Sequence, residues 1–170
     1  ADAVLVLGED VPNTAPLLAL GIRQAARNLQ REHAASMKIA SWDDEAIRNA
    51  GPDLRSPVYC ATARPTRLDA VAAKTFRGTN AAVAELGYAV ANGIDKQAPS
   101  APETNDRLQS LGREIAEVLG RAKRPLIVAG TGAGSGSIIR AAANIAHALC
   151  RNGRTAMLCY AVPECNSMGM

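Results

Sequence analysis

The stretch that decides the fold runs from Arg124 to Cys159 and reads RPLIVAGTGAGSGSIIRAAANIAHALCRNGRTAMLC. It holds a strand, a glycine-rich turn, a helix, a second turn and a second strand, together a βαβ unit. Leu126 to Ala129 is wholly apolar and stops at Gly130, the pattern of a strand covered on both faces of a parallel sheet. Beyond the glycines, Ile138, Ala141, Ala142, Ile145, Ala148 and Leu149 recur at helical spacing and leave Arg140, Asn144 and His147 on other faces. Asn152-Gly153 ends that helix, and Thr155 to Cys159 begins the next strand. Such a crossover is right-handed in nearly every known case, which fixes the face of the sheet on which the helix lies.

The loop Gly130-Thr131-Gly132-Ala133-Gly134-Ser135-Gly136 has two readings. Backbone N–H groups at the mouth of a helix, unobstructed by side chains, favour an anion. Against this, the glycine spacing fits neither the dinucleotide fingerprint nor the P-loop: no Lys-Ser or Lys-Thr follows, and no acidic residue stands beyond Cys159. The other reading is a tight turn, with Gly130 or Gly132 at the positive φ that glycine tolerates best.

Outward from this unit, strands and helices alternate. Ala3 to Leu7 is a first apolar strand, followed by the loop Gly8-Glu9-Asp10-Val11-Pro12. Asn13 or Thr14 caps a helix with Pro16 in its first turn, and Leu18, Ile22, Ala25 and Leu29 line its buried face. Met37 to Ala40 reads as a short strand, and Ser41-Trp42-Asp43-Asp44 has the capping-box spacing of a small helix ending near Gly51. Pro57 to Ala61 is the next strand. A second capping box, Thr66-Arg67-Leu68-Asp69, opens a helix with Leu68, Val71 and Ala72 inward. Lys74 to Phe76 is a short edge strand before the turn Gly78-Thr79-Asn80, and Val83, Leu86, Gly87 and Val90 mark another helix. Gln97 to Glu103 is a surface connection, and from Thr104 or Asn105 a helix turns Leu108, Leu111, Ile115, Val118 and Leu119 inward. The expected fold is α/β: a Rossmann-like, doubly wound, mostly parallel sheet with helices on both faces, a three-layer αβα sandwich spanning residues 1–170 as one domain.

Composition narrows the function. Hydrophobic residues make up 48% of the 170 but aromatics only 3%, so the core is built from Ala, Val, Leu and Ile. A net charge of +3 with one Phe and three Tyr offers neither the basic stripe nor the stacking surface of a nucleic-acid binder. No apolar run reaches the length of a membrane span, and no signal peptide precedes the first strand. Cys60, Cys150, Cys159 and Cys165 lack the C-x-x-C spacing of a zinc or redox site and read as buried free thiols in a reducing compartment. The chain begins at Ala1 without Met and stops in what reads as a loop, so it is expected to be a fragment of something longer.

Few side chains offer chemistry. His33, past a helix end, and His147, on the helix after the glycine loop, have no nearby partner and read as surface residues. Asp43, Asp44 and Glu45 lie in a helix's first turn, where negative charge complements the dipole. Ser135 and Ser137 have no base in view. The loops at the C-terminal edge of the sheet carry Glu9 and Asp10, Arg64, Thr79 and Asn80, and Gly130 to Gly136, and they form the crevice in which doubly wound folds bind ligands.

Taken together, these loops resemble the molybdopterin oxidoreductase superfamily. Gly8-Glu9-Asp10 with Pro16 resembles its Gly-x-Asn loop, Ala63-Arg64-Pro65-Thr66 stands where it has Asp-Pro-Arg, and Arg77-Gly78-Thr79-Asn80 where it has Pro-Gly-Thr-Asp. Gly130-Thr131-Gly132 and Asn166-Ser167-Met168-Gly169 follow in the same order. Through ADAVLVLGED, SPVYCATARPTRLDAVAAKTFR, AKRPLIVAGTGAGS and NSMGM the whole chain is most similar to superfamily members found in the proton-pumping NADH-quinone oxidoreductase, respiratory complex I. In the superfamily's enzymes these loops hold a pterin-guanine dinucleotide.

The resemblance implies a vestigial crevice at Asp10, Arg64, Thr79, Asn80, Gly130 and Gly132, empty because Asp10 replaces the Asn, Arg77 the Pro, Asn80 the Asp and Ala63 part of the Asp-Pro. Arg64 is expected to pair with Asp10 across it. It further implies no catalytic or metal-binding residue and no cofactor in this region, with iron-sulfur clusters held by cysteine-rich segments upstream. The implied partners are other subunits of the peripheral arm, with neither nucleic acid nor membrane insertion. The implied place is the cytoplasmic side of the inner membrane in a bacterium, or the matrix side in a mitochondrion. The other class that AKRPLIVAGTGAGS suits is the central nucleotide-binding domain of thiamine-diphosphate enzymes, though the Gly-Thr-Asn turn and the Asn-x-x-Gly ending are unusual there.

Overall fold

The computed structural model describes residues 1–100 and 105–162. Cys165, the Asn166–Gly169 motif and Thr104, with part of the expected connection to Glu103, lie outside the described residues. Five strands, β1 (Ala3–Leu7), β2 (Val58–Thr62), β3 (Lys74–Arg77), β4 (Pro125–Gly130) and β5 (Met157–Ala161), form one sheet in the order β3-β2-β1-β4-β5. Every pairing is parallel, with Val6 beside Cys60 on one flank of β1 and beside Val128 on the other. All five residues of β1 are buried, as its apolar sequence requires at the centre of a sheet covered on both faces.

Among the described residues the sheet is joined by seven helices and a 3-10 turn: α1 (Val11–Thr14), α2 (Pro16–Ala25), α3 (Asn28–Ser36), α4 (Asp44–Ala50), the 3-10 turn (Arg67–Val71), α5 (Asn80–Ile94), α6 (Asp106–Arg121) and α7 (Gly136–Arg151). Alternation along β1 divides the core. Leu5 and Leu7 share a cluster with Val83, Leu86, Ile115, Ile138 and Ile145 of α5, α6 and α7, while Val4 and Val6 join Val11, Ala19, Ile22 and Leu68 on the opposite face. The connections β1 to β2 and β4 to β5 therefore run on opposite faces, the doubly wound arrangement expected.

Several local expectations change. Met37 to Ala40 is no strand, because α3 runs to Ser36 and closes with Lys38 at φ 61°: the amides of Lys38 and Ile39 donate to the carbonyls of Ala35 and Ala34. His33 accordingly lies inside α3, exposed, not past a helix end. The helix expected to run on to Leu29 breaks after Ala25, where Ser56 donates its amide to the carbonyl of Ala26 and accepts from the amide of Leu29. At α4 the cap is Asp43, accepting from the amide of Ala46, in place of the Ser41–Asp44 box. The cap of α2 is Ala15, since the Asn13 and Thr14 side chains turn back toward Asp10 and Glu9. The Thr66–Asp69 capping box forms as expected but opens a single 3-10 turn.

With so few aromatics, the helices approach closely through small residues. A Cβ placed on Gly112 of α6 would stand 2.8 Å from the Cβ of Ala89 and 3.2 Å from its carbonyl carbon, so the α5 backbone leaves it no room. Gly112→Val is expected to destabilise the protein by about 1–3 kcal/mol, the usual cost of overpacking a close-packed interior. Denaturant unfolding monitored by circular dichroism measures it, and an unchanged midpoint would show that the two helices separate freely.

Candidate functional site

The C-terminal ends of β1 and β4 lie side by side where the chain reverses its direction of winding, the place where doubly wound sheets hold ligands. A crevice of about 470 Å³ opens there, and Asp10, Arg64, Asn80 and Gly132 line it together with Glu9 and Thr14. Four of the six expected site residues thus come together. The other two do not line it. Thr79 caps α5, its hydroxyl accepting from the amide of Ala82, and Gly130 ends β4 beside Ala161 of β5.

At the bottom lies Glu9, only 2% exposed. Its Oε2 accepts from the amide of Gly132 at 3.0 Å, and its Oε1 lies 2.7 Å from the Thr14 hydroxyl. That hydroxyl is also 2.8 Å from the carbonyl of Asp10 and donates to one of the two at a time. Among the described residues no cation pairs with Glu9. The carboxylate sits in the mouth of the glycine loop, where the fold's ligands place an anion.

This placement explains the glycines, and differently from the expectation. Positive φ falls at Gly8 (70°) and Gly134 (61°), not at Gly130 or Gly132. Gly130 is needed because a Cβ there would collide with Glu9 Oε2 and the carbonyl of Ala161, and Gly132 because its Cβ would lie 2.6 Å from Glu9 Oε1. The tight turn and the anion cradle are the same loop, and the anion belongs to the protein.

Local contacts satisfy only part of the crevice wall. Asp10 Oδ2 accepts from the Asn13 amide at 2.6 Å, while its Oδ1 is buried without a partner. The expected Asp10–Arg64 pair is not formed: Asn13, one turn away, reaches Asp10 at less entropic cost than an exposed arginine across open water. Asn80 Nδ2 donates to the carbonyl of Ala133 at 2.8 Å and ties α5 to the glycine loop. Arg77 turns away from the crevice to pair with Asp69 and donate to the Thr62 hydroxyl at 3.0 Å.

Cys60 is buried, and burial, with Asp69 nearby, pushes its thiol up to about 12. Cys150 is exposed and Cys159 half-buried, so the expectation of uniformly buried thiols fails at α7's surface end. Among the described residues no group of three or more His, Cys, Asp or Glu stands close enough to hold a metal ion, and no helix is long and apolar enough to cross a membrane.

An all-parallel doubly wound sheet with a glycine loop at its switch point defines an α/β domain of the dinucleotide-binding architecture. No family model matches the chain. Over 169 residues, 99% of its length, it is 43% identical to the G subunit of NADH-quinone oxidoreductase from Escherichia coli K12 and 42% identical to the proteins of that name from Pseudomonas putida and Salmonella typhimurium. The chain is therefore homologous to a segment of the NADH-quinone oxidoreductase G subunit, and it spans 19% of the length of those relatives.

Because the Gly132 clash is with Glu9 alone, Gly132→Ala should destabilise the wild type and cost far less beside Glu9→Ala, with a coupling energy of about 0.5–3 kcal/mol in a double-mutant cycle. Additive effects would show that the carboxylate does not occupy the loop.

The Asp69 pair yields a pH dependence. Burial works to raise the Asp69 pKa, but the Arg77 guanidinium and the Thr66 amide and hydroxyl outweigh it and hold the carboxyl below its ordinary 3.8. A folded-state pKa lowered in this way contributes stability above pH 3.8 that is lost as the pH falls through the folded value. Asp69→Asn should be less stable than the wild type at pH 7, and denaturant titrations at stepped pH should show the gap closing below 3.8.

Proposed function

We propose that the chain is a structural segment of a G subunit of NADH-quinone oxidoreductase in which the fold's dinucleotide crevice is closed by the protein's own Glu9. The observation that carries this reading is the Glu9 carboxylate on the amide of Gly132, the donor a pyrophosphate would use. A phosphate within about 4 Å of that carboxylate would be opposed by about 4 kcal/mol at a protein-surface dielectric, close to a thousandfold in affinity. Asp10, with a buried oxygen already lacking a donor, adds to the opposition. The residues present therefore do not fit a pterin-guanine dinucleotide.

The relatives' name supports a wider role as part of such a complex. The parent passes electrons from NADH through iron-sulfur clusters, held in other segments of the subunit, to quinone, and this segment supports the peripheral arm that carries them. Its partners are other subunits of that arm, on the cytoplasmic side of the inner membrane in a bacterium or the matrix side in a mitochondrion. The isolated segment is inactive toward NADH and quinone and binds no iron. No feature of the crevice favours the thiamine-diphosphate reading.

Calorimetry with NADH, guanosine diphosphate and the pterin cofactor should show no binding tighter than millimolar, and iron analysis of the isolated segment should show no stoichiometric metal. Micromolar binding of any of the three that is lost on Gly132→Ala would overturn the closed-crevice reading, as would one cluster per chain for the assignment of iron elsewhere.

A further inference from the structure

A second cavity, of about 520 Å³, lies apart from the crevice, between α2, α4 and the turn that leads into β2. Arg23, Arg27, Arg48 and Arg55 line it beside Leu54 and Val71, and no carboxylate is among the lining residues. Among the described residues, Asp44 is the carboxylate that pairs with these guanidinium groups, 2.8 Å from Arg27 and 3.8 Å from Arg48. Arg23 gives one nitrogen to the carbonyl of Arg67, and Arg55 makes no side-chain hydrogen bond or ion pair among the described residues. Four cations facing one carboxylate leave a surplus of positive charge in a concave site.

The rim is apolar. The chain's single tryptophan, Trp42, stands two residues before Asp44 and is 84% exposed, and Leu20, three residues before Arg23 on α2, is 51% exposed. Protein interfaces concentrate tryptophan and arginine in this way and hold few lysines, and the groove is lined by no lysine. A small phosphate ligand would account for the guanidinium groups but leave Trp42 and Leu20 in water.

We infer that this groove is a docking surface for a carboxylate-rich segment of another subunit of the same complex, an inference that rests on the chain's place in such an assembly. Charge complementarity steers separate polypeptides to each other and fixes their register. A segment of the same chain, already at high effective concentration, needs no such steering.

The test uses the full-length subunit in its assembled complex, with a benzophenone amino acid in place of Trp42, photolysed and mapped by peptide mass spectrometry. The expected cross-link joins position 42 to a stretch of a different subunit rich in Asp and Glu. Arg48→Glu with Arg55→Glu should lower its yield about tenfold or more at low salt, whereas Arg48→Lys with Arg55→Lys should largely keep it. Both arginines are exposed, and unfolding curves of each variant show that the fold is kept. Cross-links confined to the same subunit or to a second copy of it would overturn the inference, as would loss of the cross-link with millimolar inorganic phosphate at constant ionic strength. A subunit present in the complex with no cross-link overturns the inference alone; a subunit absent from the complex overturns both it and the structural role.

Discussion

The Glu9 carboxylate on the amide of Gly132 is the contact on which the upper edge of the sheet depends. A buried carboxylate without a cation is costly, and it is stable here only because the loop supplies donors and because Gly130 and Gly132 leave space for its oxygens. Around it the neighbouring elements fall into place. Thr14 turns back from the start of the first helices, and Asn80 clasps the carbonyl of Ala133 from the other side. Three connections that are distant in sequence thus meet at the glycine loop.

Below that edge the sheet is governed by a different constraint, the scarcity of aromatic side chains. Ala, Val, Leu and Ile fill a core only if the layers approach closely, and the contacts of Gly87 with Ala141 and of Gly112 with Ala89 are where α5 meets α7 and α6. The same close approach leaves β1 fully buried between its neighbours. Its entry is pinned by Asp2, whose carboxylate accepts from the amides of Lys123 and Arg124 just before β4. Strand order and register are thereby set at the start of the chain as well as at the crevice.

The elements that periodicity exposes were legible in the sequence: five strands, the helices over α5, α6 and α7, and the doubly wound class, because a buried face repeats and repetition can be read. The polar contacts that cut or redirect elements were not. Ser56 interrupts a helix nearly thirty residues earlier in the chain, and nothing local to Ala26 announces it. Lys38 at φ 61° occupies a helix-closing position usually given to glycine, which disguised the end of α3 as a strand. At the crevice the loops were visible but the anion was not. Nothing in the sequence separates Glu9 from its acidic neighbour Asp10, and it is Asp10 that departs from the superfamily pattern while Glu9 fills the loop. The glycine run carried part of the missing signal: Gly130 and Gly132, two of its four glycines, leave the space that Glu9 fills.

Each face of the sheet has its own apolar cluster, and the two differ in size. On the α5–α7 side, stability comes from apolar burial, which tolerates few surface demands. On the α2–α4 side a smaller apolar cluster is joined by polar links: Asn28 to the carbonyl of Ala1, Gln30 to that of Gly51, Ser56 between α2 and α3, and Arg27 to Asp44. Links of that kind hold elements in place without burying their apolar side chains, and here Leu20 and Trp42 stay exposed while Arg23, Arg27, Arg48 and Arg55 line a groove with no carboxylate in its lining.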